Sequence, residues 1–160
     1  NDWAKAIKTS AVRSTDLTDR KLMQLEFWTQ FKEYAASHQR ALRLRKAYPQ
    51  HWYDLSIGNS KSHLSLIVDA DKEQIRCEFY IPDSKDLFKA LFENKELIES
   101  LLPYELEWME LQGKKASRIM TIHTIDVSDE ANWEACFRWF VDAAQQFQSI
   151  FSEQVRKLNI

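Results

Sequence analysis

Three consecutive segments alternating with period two, long helical stripes before and after them, and a near absence of Gly and Pro predict an α+β fold. The expected architecture is a mostly antiparallel sheet of about five strands (three-strand meander, crossover helix, hairpin) packed with long N- and C-terminal helices. The 160 residues hold two Gly and three Pro, well under the roughly 12% usual for that pair, so the chain is not loop-rich. Six Trp, five Tyr and nine Phe supply apolar area for a core, and a chain of this length buries roughly 68–70% of its unfolded surface. One domain over 17–160 is expected, with 1–16 as a connector that docks on the body.

Taken in order, residues 1–16 place Trp3, Ile7 and Val12 at helix-like steps before a polar Ser14-Thr15-Asp16. A helix over Leu17–Ser37 follows, with Thr18 as candidate cap. Leu22, Leu25, Trp28, Phe31 and Ala35 run down one face, and Met23, Phe27 and Tyr34 widen it. Trp52–Ile57, His63–Val68 and Ile75–Ile81 alternate apolar and polar, joined by the turn-prone Gly58-Asn59-Ser60-Lys61 and Asp69-Ala70-Asp71-Lys72. Pro82-Asp83-Ser84 caps one helix carrying Leu87, Phe88, Leu91, Ile98, Leu101 and Leu102, stopped by Pro103. Glu105–Leu111 and Ala116–Ile125 read as a hairpin around Gln112-Gly113. The last helix opens at Ser128-Asp129-Glu130 and repeats Trp133, Phe137, Phe140, Ala144, Phe147, Phe151, Val155 and Leu158 at steps of three and four. That stripe covers one face of a sheet, or zips against a second copy if Trp139, Phe147 or Phe151 lie beyond what the sheet covers.

Composition excludes several classes. No apolar run approaches the roughly 18 residues of a membrane span, and Asn1-Asp2-Trp3-Ala4-Lys5 lacks the order of a secretory signal. Cys77 and Cys136 fall within apolar patterns, reading as two buried free thiols of a reducing, cytoplasmic compartment. With only two Gly, no phosphate-cradling loop can be built. Neither Cys-x-x-Cys nor His-x-x-x-His occurs, so no metal or other cofactor is assigned.

The chemistry-bearing residues admit three arrangements. Ser65, His63 and Asp54 share a strand parity and form a nucleophilic triad on paper, though no nucleophile elbow surrounds Ser65. The order helix, three strands, helix, strand is also the core order of restriction-endonuclease-like nucleases. Asp69 and Glu78 could take their acidic positions, but the lysine expected two residues beyond Glu78 is Tyr80. Basic residues cluster at Arg40, Arg43, Arg45 and Lys46 and again at Lys114, Lys115 and Arg118. With His51, Trp52 and Tyr48 nearby they suit a phosphate backbone if the fold unites them. Arg43 and Arg45 have a second use, pairing with Glu105, Glu107 and Glu110.

Four strings, Trp3-Ala4-Lys5-Ala6-Ile7-Lys8, Leu25-Glu26-Phe27-Trp28-Thr29-Gln30-Phe31, Gln50-His51-Trp52-Tyr53-Asp54-Leu55-Ser56-Ile57-Gly58 and Gly113-Lys114-Lys115-Ala116-Ser117-Arg118-Ile119, together resemble a bacterial domain family of unknown function. That family is commonly found C-terminal to restriction-endonuclease-like nuclease domains. The resemblance spans nearly the whole chain and carries no catalytic residues over. It implies a fragment whose nuclease-like partner domain lies upstream of Asn1. The expected function is a non-catalytic accessory module contacting DNA or RNA through Arg40, Arg43, Arg45, Lys46, His51, Trp52, Lys114, Lys115 and Arg118. The alternatives are a protein interaction or homodimerisation module and a degenerate or self-contained Mg²⁺-dependent nuclease.

Overall fold

In a computed structural model, residues 18–158 are described; the connector expected at 1–16 lies outside them. Thr18 starts the first helix, its hydroxyl accepting the Lys21 N–H at 3.2 Å, and helix α1 runs Asp19–His38. Its buried stripe is Met23, Phe27, Trp28, Phe31 and Ala35, with Leu22 and Leu25 only half-buried. The stripe is therefore rotated from the one expected, because the large rings and not the leucines claim the centre.

Strands β1 (Trp52–Ser56), β2 (His63–Asp69) and β3 (Gln74–Ile81) form the meander. The expected single crossover helix is two, α2 (Lys85–Glu93) and α3 (Lys95–Leu101). Asn94, at φ −104° and ψ 22°, donates its N–H back to Leu91 and Phe92 and starts the next helix. This break keeps Ile98 and Leu102 buried but turns Leu97 and Leu101 outward. Strand β4 is only Glu107–Met109, and β5 is Ser117–Thr124. A 3₁₀ turn at Glu130–Asn132, capped by Asp129, leads into α4 (Trp133–Leu158).

The fold is α+β, with all five strands antiparallel in the order β1-β2-β3-β5-β4. Helix α4 lies across β2 and β3, α1 packs on α4, and α2 touches α4 and β5. The helices thus share one side of the sheet. Between them Phe27, Trp28, Phe31, Phe137 and Phe140 meet in mostly edge-on pairs, with Tyr53 of β1 joining Trp28 at 5.3 Å. Phe79 stacks on Phe151 at 4.4 Å, fastening β3 to α4. Phe147 and Phe151 are fully buried, and Trp139 rests on His123 and Tyr104. Phe147 and Phe151 of the α4 stripe are thus covered within the chain, while Trp139, Val155 and Leu158 stay half-buried.

Cys77 and Cys136 are buried and free. Burial pushes the Cys136 thiol up to about 12 and holds that of Cys77 well above the usual thiol range. Among the described residues, no helix is long and apolar enough to cross a membrane.

Candidate functional site

With the helices on one side, alternation along each strand sends every second residue to the open side. The register aligns these residues in rows. Trp52, Ile67, Arg76 and Ile122 form the first row. Asp54, Ser65, Glu78, Met120 and Glu107 form the second, and Ser56, His63, Tyr80, Arg118 and Met109 the third. A cleft of about 320 Å³ opens here, with Trp52, Asp54, His63, Glu78, Tyr80 and Arg118 among its walls.

Glu78 is the buried centre of this face, 2% exposed. It accepts from Arg76 Nε at 3.1 Å and from Arg118 at 3.4 Å, while the Arg118 guanidinium lies 5.5 Å over the Tyr80 ring. Arg76 also reaches Asp69 at 3.3 Å. The two carboxylates weighed as Mg²⁺ ligands are therefore bridged by an arginine, which fills with a fixed positive charge the place a cation would take. Among the described residues, no three His, Cys, Asp or Glu side chains gather as metal ligands would.

Ser65, Asp54 and His63 do meet, but in the wrong order for a nucleophile. The Ser65 hydroxyl donates to Asp54 Oδ1 at 2.8 Å, and His63 Nε2 stands 3.6 Å from Asp54 Oδ2. In a working triad the histidine lies between the other two and takes the hydroxyl proton. Here the carboxylate is in the middle, and the serine has a carboxylate and not an imidazole beside it.

Of the residues expected to bind nucleic acid, His51, Trp52 and Arg118 line the cleft. Arg45 and Lys46 join Tyr48 and Trp52 around a second hollow of about 260 Å³ at β1. Tyr53 anchors this segment: its hydroxyl donates to the Arg45 carbonyl at 2.5 Å and accepts the Arg45 N–H at 2.6 Å. Burial pushes the Tyr53 phenol above its ordinary value, against the opposing pull of Arg45. Arg40 and Arg43 are exposed on the same connecting segment, and Lys114 and Lys115 are exposed at the β4–β5 turn. Since β1 and β4 are the two edges of the sheet, the strands flanking these clusters stand about 19 Å apart at ordinary strand spacing. The Arg40–Lys46 segment and the lysine turn therefore do not merge. Between Arg40 and Arg43 the segment docks on the helix layer, the Ala41 carbonyl accepting from Gln148 of α4 at 3.4 Å and Leu42 entering the core, while Arg45 and Lys46 lie at the β1 edge. The same edge-to-edge separation puts Arg43 and Arg45 out of reach of the acidic strand carrying Glu107, correcting the pairing expected for them.

Sequence reasoning left Arg76 out of the site, although its parity with Glu78 and Tyr80 marked the shared face. The β4–β5 turn is tied down by Lys85, whose ammonium donates to the carbonyls of Glu110, Leu111 and Ala116 and to the Ser117 hydroxyl. Nothing local in the sequence pointed to that long-range tie.

Fold and cleft together define an α+β domain with one helix-covered sheet face and one open, mixed-charge face. The family model described as "Domain of unknown function (DUF4268)" matches residues 23–155, a span holding every strand and the whole cleft, and the chain belongs to that family. No curated protein matches the chain, and no solved structure does.

Proposed function

We propose that this domain contacts nucleic acid, laying a strand across the open sheet face between the basic segment beside β1 and the lysine turn beyond β4. The observation that carries this reading is an uncovered sheet face that bears aromatic rings beside Arg45 and Lys46 at its β1 edge and has Lys114 and Lys115 exposed at the β4–β5 turn. Trp52 and Tyr48, 38% and 51% exposed, offer ring faces beside Arg45 and Lys46. Such a pairing of stacking surface and phosphate-neutralising charge is how proteins hold nucleic acid without a deep pocket. The resemblance to domains found behind nucleases gives it a setting: a non-catalytic accessory module beside a nuclease-like domain of the same bacterial polypeptide.

The test is fluorescence anisotropy with labelled duplex and single-stranded DNA and RNA across a salt series. Five phosphate contacts give a log–log slope of roughly −4 to −5 on duplex. Lys114→Ala with Lys115→Ala flattens that slope by about two units, and Arg43→Ala by about one. Absence of binding to every probe at low salt, with the fold intact, overturns the proposal.

A second reading, homodimerisation, is favoured by one feature away from the cleft. Phe92, Leu97 and Leu101 are 47%, 50% and 45% exposed along α2 and α3, and Phe88, Phe92 and Trp108 line a hollow of about 420 Å³. A second copy of the chain would bury this ridge. Light scattering showing only monomer at high protein concentration would rule it out.

A further inference from the structure

We propose that the cleft on the open face holds one unpaired base and that Asp54 selects guanine. This rests on the nucleic-acid reading above and adds to it a base preference. The two carboxylates in the cleft wall differ in what they have left to offer. Glu78 is enclosed, 2% exposed, with Arg76 and Arg118 both donating to its Oε2. Asp54 is 29% exposed, takes one hydroxyl hydrogen bond from Ser65, and stands beyond hydrogen-bond reach of His63 at 3.6 Å. Asp54 is therefore the acceptor with free lone pairs facing the cleft.

A carboxylate offers two acceptor oxygens side by side. Of the four bases, guanine alone presents two adjacent donors on its pairing edge, N1–H and the N2 amino group. Adenine and cytosine set one amino group beside an acceptor nitrogen, and thymine or uracil sets one N–H between two carbonyls, so each would place an acceptor against the carboxylate. Trp52, two residues along β1 on the same face, is about 7 Å away along the strand. Its exposed ring supplies the stacking surface that a splayed-out base needs. Arg76 and Arg118 spend two and one of their nitrogens on carboxylates, which leaves guanidinium donors for acceptor atoms on the base or for the neighbouring phosphate. The volume of about 320 Å³ falls at the small end of ligand pockets, suited to a single base and not to a stacked pair.

The experiment compares the whole chain with four fluorescein-labelled thymidine 12-mers, identical except for a central guanine, adenine, cytosine or thymine. The guanine strand is expected to bind about tenfold more tightly than the other three. Asp54→Asn, which replaces one acceptor by a donor, should abolish the guanine preference and shift it toward adenine or cytosine, whose amino group beside an acceptor nitrogen matches the amide, and Trp52→Ala should weaken all four. Equal binding of the four strands to the unaltered protein overturns the guanine assignment while leaving backbone contact standing. Retention of the preference by folded Asp54→Asn also overturns it. Failure of every strand to bind, at low salt and with the fold intact, removes the nucleic-acid reading itself and this inference with it.

Discussion

Glu78 shows how a single side chain can organise an otherwise solvated sheet face. Its charge is held between Arg76 and Arg118 at near-zero exposure, so deleting that charge leaves two guanidinium groups against a neutral amide, with Asp69 the remaining carboxylate on Arg76. Breaking a buried pair from one side usually costs about 3–5 kcal/mol. Both arginines here reach solvent in part, so the lower end applies. Glu78→Gln should lower the urea midpoint by an amount equivalent to about 3 kcal/mol, and an unchanged midpoint would show that the arginines relax into water. Tyr53→Phe acts more gently, removing a hydroxyl that closes both backbone groups of Arg45. A loss of about 1 kcal/mol is expected, together with faster amide exchange at Arg45, because the basic segment loses its anchor. Arg43→Ala, on an exposed residue, should change stability by less than about 0.5 kcal/mol.

At the scale of elements, the β4–β5 turn needs a left-handed backbone at its glycine as well as the Lys85 tie. Gly113 sits at φ +82°, and a Cβ placed there would meet nothing within 4 Å. The whole cost of Gly113→Ala is then the left-handed backbone, about 1–2 kcal/mol, with Gly113→Asn costing less. Thermal unfolding of the two variants checks that order. The meander was legible because its helix-facing residues are apolar and its open-face residues mostly polar, even where both are buried as in β2, writing the period of two into the sequence. Helix α4 was legible because one uninterrupted aromatic stripe meets the sheet. The division at Asn94 was not, because the apolar spacing continues through it and masks the preference of asparagine for caps and turns. Nor was the shortness of β4, since Glu105–Leu111 alternates over a length that pairing does not follow. For the site, parity alone aligned Asp54, Ser65, His63, Glu78 and Tyr80. What it could not supply was strand order, which long-range packing sets and which separates the segment beside β1 from the lysine turn between β4 and β5.

Across the whole molecule, one core ties stability to pH through groups that must stay protonated to remain buried. Burial holds the Cys77 thiol well up, with the Glu78 charge adding to it, and raises Cys136 to about 12. Burial likewise lifts the phenols of Tyr53 and of Tyr104, the latter reinforced by its hydrogen bond to Asp142. All four are acids whose native values lie above their unfolded ones. The folded chain therefore keeps protons that the unfolded chain releases, and stability falls as pH rises through that interval. Below the unfolded thiol value of about 8.5 the contribution is complete. From about pH 9 each thiol subtracts up to about 1.4 kcal/mol per pH unit, and the phenols join above about pH 10. The urea midpoint should accordingly stay level from pH 7 to 8.5 and fall with increasing steepness beyond pH 9. Cys136→Ala removes one titrating group, so its midpoint should start slightly lower at pH 7 and decline less steeply, narrowing the gap to the parent protein by pH 11. Parallel declines in the two proteins would show that the Cys136 thiolate is accommodated without unfolding and that its buried setting beside the ring cluster contributes nothing to alkaline sensitivity.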